Sequence, residues 1–567
     1  MSAVPQDSSA GGSVLDATSQ ENNKETLNSS SSSAKSSEAL EAFNPGWRFY
    51  AAFASLCVIT LMAALDATSL SVALPIMAKA LGGSALEAFW SGTSFLLTST
   101  VFQPIIGSFS HIFGRKPLIY VSLAFFLAGS IVAAVADNFT VILVGRSLQG
   151  VGGGGIIVMT EVVVTDLVPL RQRGKWMAMI GSMWSIGTVA GPLLGGGFSQ
   201  NVSWRWIFWI NLPFLGIGSI MITAFLKLNY NATSLLLKLR RVDWFGTVLF
   251  LGSITAFLIP ITWGGVQYAW DSWRTLVPLL VGAAGLVLFV VHQELWAPEP
   301  LIRTAVFKDA TAAVTYLESV IHGIILWGIL YYLPLYYQAV KGMTPIMAGI
   351  ALFPQTFTVA PASVVAGTII AITGRYRWAI WTGWVLGTFG MGLMILLDEH
   401  TTTVEWVFLN LVGGIGTGIL FPAMGLAIQA STNSADQAYA ATMFSFMRAF
   451  GQTLGVAIGG VIFQNQMKKK LLTLPLLAGH ADEYSKDAAG LVEIIKALPE
   501  GVMKAQLKES YVYALKYIWI VMTVLAAVAM VASAVTKAYP LDRANETEQG
   551  FVEKKKVRDS EGGVVEG

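Results

Sequence analysis

Long apolar segments fill this chain from residue 46 to residue 538 and leave few ways to fold it. Of its 567 residues, 54% are hydrophobic and only 12% are charged, far from the balance of a soluble domain. About 20 apolar residues in a helix cross the roughly 30 Å of hydrocarbon in a bilayer. The sequence therefore predicts an all-α polytopic membrane protein. Fourteen segments are interpreted as transmembrane helices: 48–78, 87–110, 117–136, 139–165, 174–198, 205–227, 243–263, 275–296, 310–338, 345–371, 377–397, 404–430, 437–465 and 511–537.

A repeated glycine pattern divides these helices into two similar halves. Residues 107–116 carry two glycines seven positions apart, followed by an arginine, and residues 367–377 repeat this spacing about 260 residues later. A second series consists of Gly187, Gly191, Gly195 and Gly196 in the first half and Gly451, Gly455, Gly459 and Gly460 in the second. Two halves built alike in so hydrophobic a chain are typical of a secondary transporter that moves solute between them.

The segments outside the repeats complete the domain organisation. Residues 1–45 are rich in Ser, Asn, Glu and Lys and cannot bury enough apolar area to fold. No signal-peptide pattern begins at Met1, so the first span is expected to target the chain. The predicted organisation is a disordered cytoplasmic tail at 1–45, a six-helix bundle at 46–230, two additional helices at 231–300, a second six-helix bundle at 301–538 with a long external loop at 466–510, and a cytoplasmic tail at 539–567.

Cations in the short loops predict the orientation. One side of the predicted membrane domain carries Arg115, Lys116, Arg171, Arg173, Lys175, Lys227, Lys238, Arg240, Arg241, Arg303, Lys308, Arg375 and Arg377. The positive-inside rule makes this side cytoplasmic, and an even number of helices places both termini there. The expected location is the plasma membrane, or alternatively the vacuolar membrane. Asn138 and Asn201 begin glycosylation sequons in predicted external loops.

Several classes of function are excluded or disfavoured by the same residues. A net charge of +2 gives no reason to expect nucleic-acid binding, and the single cysteine, Cys57, allows no intrachain disulfide. No HExxH motif, nucleophile elbow or P-loop is present. We therefore expect a transporter driven by an ion gradient, not an enzyme or an ATP-driven pump. No metal or cofactor is expected, and a monomer in the lipid bilayer is predicted.

At this level of detail the chain resembles the major facilitator superfamily, and within it the fourteen-helix drug:proton antiporters of fungal type. The resemblance extends over about residues 48–540. It rests on residues 65–75 of the first helix, Arg146 to Gly150 of the fourth, Gly187 to Gly196 with Pro192 of the fifth, Trp204 to Pro213, and Tyr331 to Tyr336. It implies two pseudo-symmetric six-helix bundles plus two additional central helices, and it associates the Arg146 motif with proton coupling.

Two positions depart from the family pattern. The loop motif that begins at Gly107 usually has an aspartate where this chain has His111, and that aspartate is held to lock one conformation. A histidine there implies a weaker or pH-dependent lock. Glu161 is the other departure, since an apolar or amide residue is expected at this position of the fourth helix.

The glycine motifs have a physical interpretation of their own. Gly114 before Arg115 suits a tight turn between two helices, either as a purely structural turn or as part of a gate. Gly187, Gly191 and Gly195 present a smooth helix face on which another backbone packs closely, and Pro192 permits a bend. This face is interpreted as a static packing surface or as an interface that moves during transport.

Ionisable residues inside spans are the sharpest functional evidence, because burying each is costly. Asp66 and Arg146 fall at a similar depth and are predicted to pair. A carboxylate beside an arginine stays ionised, whereas one that loses its partner in a dry site takes a proton, which is the switch that a proton antiporter needs. A permanent structural ion pair is the alternative. Glu161 and Glu318 complete the predicted proton-coupling set.

A second set of residues is predicted to bind substrate. Glu318 and His322 are four residues apart on one face of the ninth helix, and Arg448 and Gln452 have the same spacing on the thirteenth. Gln149 in the Arg146 motif joins them. Most of the tyrosines at the outer end of the ninth helix are expected to form an interface belt, and some to face the cavity, with Tyr331 favoured for the cavity. These tyrosines are Tyr331, Tyr332, Tyr336 and Tyr337.

The predicted function is proton-coupled export of small organic molecules such as toxins, secondary metabolites or drugs. Uptake or vacuolar storage of a defined solute, such as a basic amino acid, an organic acid or an iron chelate, is the alternative within transport. Outside transport, a membrane receptor or a membrane-embedded enzyme remains. The sequence does not identify the substrate, because fold does not imply substrate.

Overall fold

The computed structural model describes residues 43, 45–82, 85–229, 233–265, 267–486, 488–543, 547, 549–550, 557–558 and 564–565. Most of the predicted tail at 1–45 therefore lies outside the described residues. The described part is almost wholly helical. Its fourteen long helices are α1 (Trp47–Ala80), α2 (Ala85–Phe113), α3 (Arg115–Ala134), α4 (Phe139–Leu167), α5 (Leu170–Asn201), α6 (Trp206–Phe225), α7 (Trp244–Trp263), α8 (Trp273–Leu295), α9 (Ala310–Ala339), α10 (Phe353–Thr373), α11 (Arg377–Met394), α12 (Thr403–Ser431), α13 (Gln437–Leu471) and α14 (Val502–Ala532).

These helices agree with the predicted spans to within a few residues at most ends. Among the described residues, twelve helices are long and apolar enough to cross a membrane, and α2 and α11 are not among them. Fourteen crossings therefore remain a prediction. Local signals begin several helices: the side chain of Asn138 accepts a hydrogen bond from the Val141 amide at 3.0 Å, and Thr402 and Glu405 form a capping box.

The helices form two bundles with a hairpin beside them. Helices α1–α6 pack together, α9–α14 pack together, and α7 pairs with α8. Helix α7 contacts α2 of the first bundle and α13 of the second, where the Phe250 ring lies 5.9 Å from Phe446. The other helix of the hairpin, α8, exposes apolar side chains such as Leu280 and Val281, as expected of a surface that faces lipid.

The second glycine of each repeated motif makes the same turn. Gly114 lies between α2 and α3 with φ at 97°, and Gly374 lies between α10 and α11 with φ at 66°. Glycine adopts positive φ at no steric cost because it lacks a Cβ atom. The repeat thus encodes the tight turn that the sequence predicted, once in each bundle.

The first glycine of each motif allows the two bundles to touch. A Cβ atom on Gly107 of α2 would collide with Thr442 of α13. Its counterpart Gly367 lies on α10, where a Cβ atom would come within 2.6 Å of the Gly174 carbonyl oxygen of α5. Each contact joins one bundle to the other. Both lie toward the face that carries the arginines and lysines named above, which we call the basic face.

Three glycines of the second series in each half pack within a bundle instead. A Cβ atom on Gly187, Gly191 or Gly195 would strike α1 at Ala64, Thr68 or Ser69, respectively. In the second bundle, Gly451, Gly455 and Gly459 face α9 in the same way. The structure therefore favours the packing interpretation of this face, since α1 and α5 belong to the same bundle.

The prediction of a long loop at 466–510 is wrong in both bounds, and the segment is partly helical. Helix α13 continues to Leu471 and α14 begins at Val502, and short helical segments fill the interval. One of them, Ala488–Ala497, buries Leu491, Val492 and Ile495 and contacts α9. Because the exposed side of this helix is polar, the composition of the segment alone does not predict that it packs against a bundle.

The C-terminal segment is also more ordered than a solvated tail. Leu541 is buried, and Asp542 pairs with Arg171 at 2.9 Å on the basic face. The Tyr539 hydroxyl donates to the Asp309 carboxylate at 2.6 Å, and this bond raises the pKa of the tyrosine. The beginning of the predicted tail at 539–567 therefore packs against the membrane domain.

Candidate functional site

The predicted pairing of Asp66 with Arg146 is present in the structure. A guanidinium nitrogen of Arg146 lies 2.5 Å from Asp66 Oδ2, and both side chains are about 1% exposed. Gln149 Nε2 and Asn211 Nδ2 each donate to Asp66 Oδ1, at 3.0 and 2.7 Å. The carboxylate thus has a charged donor on one oxygen and two neutral donors on the other, so both oxygens are hydrogen-bonded, as a buried ion requires.

Gln149 occupies a different place from the one predicted. It was expected to bind substrate, but its amide lies in this network and also donates to Ser130 Oγ at 2.8 Å. Neither Gln149 nor Asp66 lines either of the two large spaces between the bundles. The Phe95 ring explains the separation, because it lies 4.4 Å from the Arg146 guanidinium on one side and lines the central cavity on the other.

The central cavity lies between the two bundles. Together with the open solvent at its mouth it comprises about 1170 Å³. A second space of about 1180 Å³, measured in the same way, adjoins it and shares Phe95, Leu96 and Trp327 as lining. The lining of the first comes from α1, α2, α4 and α5 and from α9, α10, α12 and α13. These are equivalent helices in the two halves, so the cavity follows the internal repeat.

One ion pair faces this cavity. Glu161 Oε1 of α4 and a guanidinium nitrogen of Arg448 on α13 are 3.7 Å apart, so the pair links the two bundles. The Phe421 ring lies 4.6 Å from the Arg448 guanidinium. Both charges lie in predicted spans, but the sequence gives no reason to pair them, because they are almost 300 residues apart.

Other predicted substrate-binding residues also line the cavity. His322 and Gln452 do so, whereas Tyr331 lines the adjoining space. The His322 ring contacts the Thr417 carbonyl oxygen through Nε2 at 3.1 Å. Glu318 does not line it, although it lies only four residues before His322. Its side chain is fully buried within the second bundle.

Several residues of the cavity wall are not among those predicted from the sequence. Gln103 of α2 is 1% exposed, lines the cavity, and has no hydrogen-bond partner for either amide atom within the described structure. Trp184 and Trp327 line it from opposite bundles with ring centres 6.2 Å apart. A lone amide in an apolar run was the available signal for Gln103, whereas the pairing of the tryptophans requires the fold.

The expected tyrosine belt is wrong for three of the four residues. Tyr332, Tyr336 and Tyr337 are all buried within the second bundle. Their hydroxyl groups explain this, since Tyr332 donates to the Val456 carbonyl oxygen at 2.7 Å and Asn410 donates to the Tyr337 hydroxyl at 2.6 Å. Tyr331 faces the outer space of the cavity, where the sequence placed it.

Polar contacts close the cavity toward the basic face. One guanidinium nitrogen of Arg173 on α5 donates to Gln429 and Gln437 of the second bundle, at 2.9 and 2.6 Å. Arg171 donates to the Ala371 carbonyl oxygen at 2.8 Å. From this floor the lining continues along α1 and α9 to Leu74 and Gln338, toward the opposite face.

His111 and Arg115 take part in this closure. Arg115 Nε lies 2.8 Å from Asp166 Oδ2 of α4, so the arginine of the loop motif forms an ion pair with an aspartate of another helix. The His111 ring stacks on Tyr439 of the second bundle, with ring centres 3.9 Å apart. That the histidine makes this closure weaker or pH-dependent remains a prediction.

We expect Gly367→Val to open the basic face. The added side chain would meet the Gly174 backbone, so the closed contact between α5 and α10 would have to separate. Spin labels on half-buried Lys175 and exposed Arg375 report this distance by pulsed electron paramagnetic resonance, and we expect a longer distribution in the variant. Gly387→Val is the matched control, because its Cβ would meet nothing within 4 Å. An unchanged distribution in Gly367→Val would contradict a close-contact role for the motif glycine.

Comparison with known proteins identifies the family. The model of the Major Facilitator Superfamily matches residues 56–460. The chain belongs to the major facilitator superfamily. It is 71% identical over 535 residues to MFS transporter L2 of Phoma sp. (strain ATCC 20986 / MF5453), covering 94% of this chain and 90% of the relative. It is 36% identical over 528 residues to Efflux pump FUS6 of Gibberella moniliformis (strain M3125 / FGSC 7600), covering 91% and 93%.

A solved structure supports the same fold for this superfamily member. The MFS proton:xylose symporter XylE aligns with a TM-score of 0.53 at 14% identity, covering 87% of this chain and 97% of the symporter. These matches confirm the resemblance to fungal efflux proteins of the superfamily. They also confirm the prediction of a multi-pass membrane transporter for small molecules, since the relatives are named as transporters and pumps.

Proposed function

We propose that this protein is a proton-coupled antiporter that exports small organic molecules from the cell by alternating access. The observation that carries the proposal is the central cavity, which is lined by equivalent helices of both bundles and closed on the basic face by polar contacts between them. A relative named as an efflux pump supports export. The lining is largely apolar and aromatic, which suits organic substrates.

Proton coupling is assigned to Asp66 with Arg146, together with Glu161 and Glu318. Asp66 and its partner lie directly behind Phe95, so a movement of this ring links the cavity to the ion pair. When Arg146 withdraws, the carboxylate is left in a dry site and takes a proton. When the pair forms again, the proton leaves.

The proposed location is the plasma membrane with the basic face and both termini in the cytoplasm. The arginines and lysines of the short loops support this orientation. Asn138 and Asn201 lie on the opposite face and are exposed, as glycosylation would require. The proposed working unit is a monomer, since each bundle supplies half of one cavity.

Accumulation of labelled metabolites in cells with and without the protein tests export. We expect at least one apolar organic compound to accumulate less in cells that contain the protein, and the difference to vanish with a protonophore. Retention of the compound in isolated vacuoles would instead support storage, the alternative derived from the sequence. Greater accumulation throughout the cell would support uptake and contradict export.

A further inference from the structure

Two charges of opposite sign face the central cavity and already face each other. Among the described residues that line it, Glu161 is the one carboxylate and Arg448 the one permanently charged cation. The formal charge of the lining is therefore zero. The pair is not closed: its separation of 3.7 Å exceeds the 2.5 Å of the Asp66 and Arg146 pair and the usual length of a charge-assisted hydrogen bond.

Several polar atoms around this pair lack partners within the described structure. Arg448 Nε, His322 Nδ1 and both amide atoms of Gln103 have none, and the His322 and Gln103 side chains are at most 2% exposed. Buried polar groups in native proteins are nearly always hydrogen-bonded to protein, water or ligand. Their concentration around one cavity, with contributions from both bundles, points to a polar ligand group.

The kind of hydrogen bond that each atom offers can be derived. His322 Nε2 faces the Thr417 carbonyl oxygen, so in a neutral ring it carries the proton and Nδ1 is an acceptor. Arg448 Nε is a donor, Glu161 is an acceptor, and the Gln103 amide offers one of each. A ligand hydroxyl both donates and accepts, so from the cavity it can bridge the pair by donating to Glu161 and accepting from Arg448.

We propose that the Glu161 and Arg448 pair makes the cavity selective for uncharged, hydroxyl-bearing molecules with an apolar or aromatic body. A hydroxyl that donates to Glu161 and accepts from Arg448 leaves both charges compensated and joins the two bundles through the ligand. A carboxylate or an ammonium group would instead draw one member of the pair and leave the other unpaired in a water-poor site, which is costly. Trp184 and Trp327 provide flat surfaces for the ligand body.

This proposal rests on the proposed function only in treating the cavity as the substrate site. A binding measurement needs no proton gradient, so it tests the selectivity of the cavity separately from proton coupling. The probes are three compounds with one body: 2-naphthylmethanol, 2-naphthoate and 2-naphthylmethylammonium. Binding to purified protein in lipid nanodiscs is measured by equilibrium dialysis, with protein-free nanodiscs to subtract partition into lipid. We expect the wild-type protein to bind the alcohol roughly tenfold more tightly than either ion.

Two substitutions should redirect this preference in opposite directions. Glu161→Gln leaves Arg448 unpaired, so we expect it to favour 2-naphthoate. Arg448→Gln leaves Glu161 unpaired, so we expect it to favour 2-naphthylmethylammonium. The double variant has no net charge in the cavity, and we expect the alcohol to regain first place. It also keeps the test valid if an unpaired charge prevents folding of a single variant.

Matched controls change the net charge of the protein outside the cavity. Glu493→Gln and Arg375→Gln alter exposed residues, and we expect both to keep the wild-type order. The proposal is overturned if the wild-type protein binds either ion as tightly as the alcohol, if none of the three compounds binds, or if the double variant favours an ion. Loss of proton-driven export with the binding order intact would count against the proposed function alone.

Discussion

Asp66→Asn should abolish proton-driven export and also reduce the amount of folded protein. The substitution removes the charge that compensates Arg146, and both side chains are almost fully buried. Breaking a buried ion pair by removing one partner typically costs about 3–5 kcal/mol, because the other charge is left uncompensated. Export by itself is therefore an ambiguous readout for this variant.

The double variant Asp66→Asn with Arg146→Gln separates the two roles. It removes both charges, so we expect the folded amount to recover toward that of the wild-type protein. Exchange of substrate across the membrane without a gradient should also recover, whereas accumulation driven by a proton gradient should not. These three quantities are measured by size-exclusion chromatography, by counterflow and by gradient-driven uptake in liposomes.

An exposed pair provides the control for Asp66. Asp137 pairs with Arg205 at 3.1 Å, but its side chain is 89% exposed, and such pairs contribute about 0–1 kcal/mol. Asp137→Asn should therefore change neither folding nor transport. Wild-type accumulation by the double variant would show that Asp66 and Arg146 form a purely structural pair.

Gly191→Leu should prevent the first bundle from packing. A Cβ atom at this position would already collide with the Thr68 side chain of α1, and a leucine adds three further carbons. Overpacking of a tight core costs typically about 1–3 kcal/mol, and more where backbones must separate. We expect most of the protein to be lost from the monodisperse peak in fluorescence-detected size-exclusion chromatography.

The same helix offers a matched control for this glycine. Gly197 also lies on α5, but its Cβ atom would meet nothing within 4 Å, so Gly197→Leu should leave the elution profile unchanged. A folded Gly191→Leu protein that transports slowly would contradict the packing account. It would restore the interpretation of this face as a moving interface.

The repeat made the fold predictable from sequence to an unusual extent. The spacing of Gly107 and Gly114 predicted a turn between two helices and a matching turn at Gly374, and both turns have the positive φ that glycine permits. Apolar length located nearly every helix because the bilayer sets a minimum span. The prediction for residues 466–510 was wrong because the short amphipathic helices there cover a bundle without crossing the bilayer. No minimum length applies to them, so apolar length does not reveal them.

The site was less predictable because its contacts join distant parts of the chain. The pairing of Asp66 with Arg146 could be predicted, since the two helices run in opposite directions and place the charges at one depth. Glu161 and Arg448 belong to different bundles, and only the closed arrangement of both bundles brings them together. Glu318 and His322 share a helix face in sequence, yet the neighbouring helices bury the first and leave the second at the cavity.

Transport by the purified protein in liposomes tests proton-coupled export most directly. The compound identified by the cell assay is added outside vesicles with an acidic interior. Vesicles in which the basic face points outward are selected by capture of the C-terminal tail, which the proposed orientation places on that face. We expect uptake of the compound together with loss of internal protons, both abolished by a protonophore and by the double variant at Asp66 and Arg146. Uptake that proceeds equally without a pH gradient, or without any release of protons, would contradict the account.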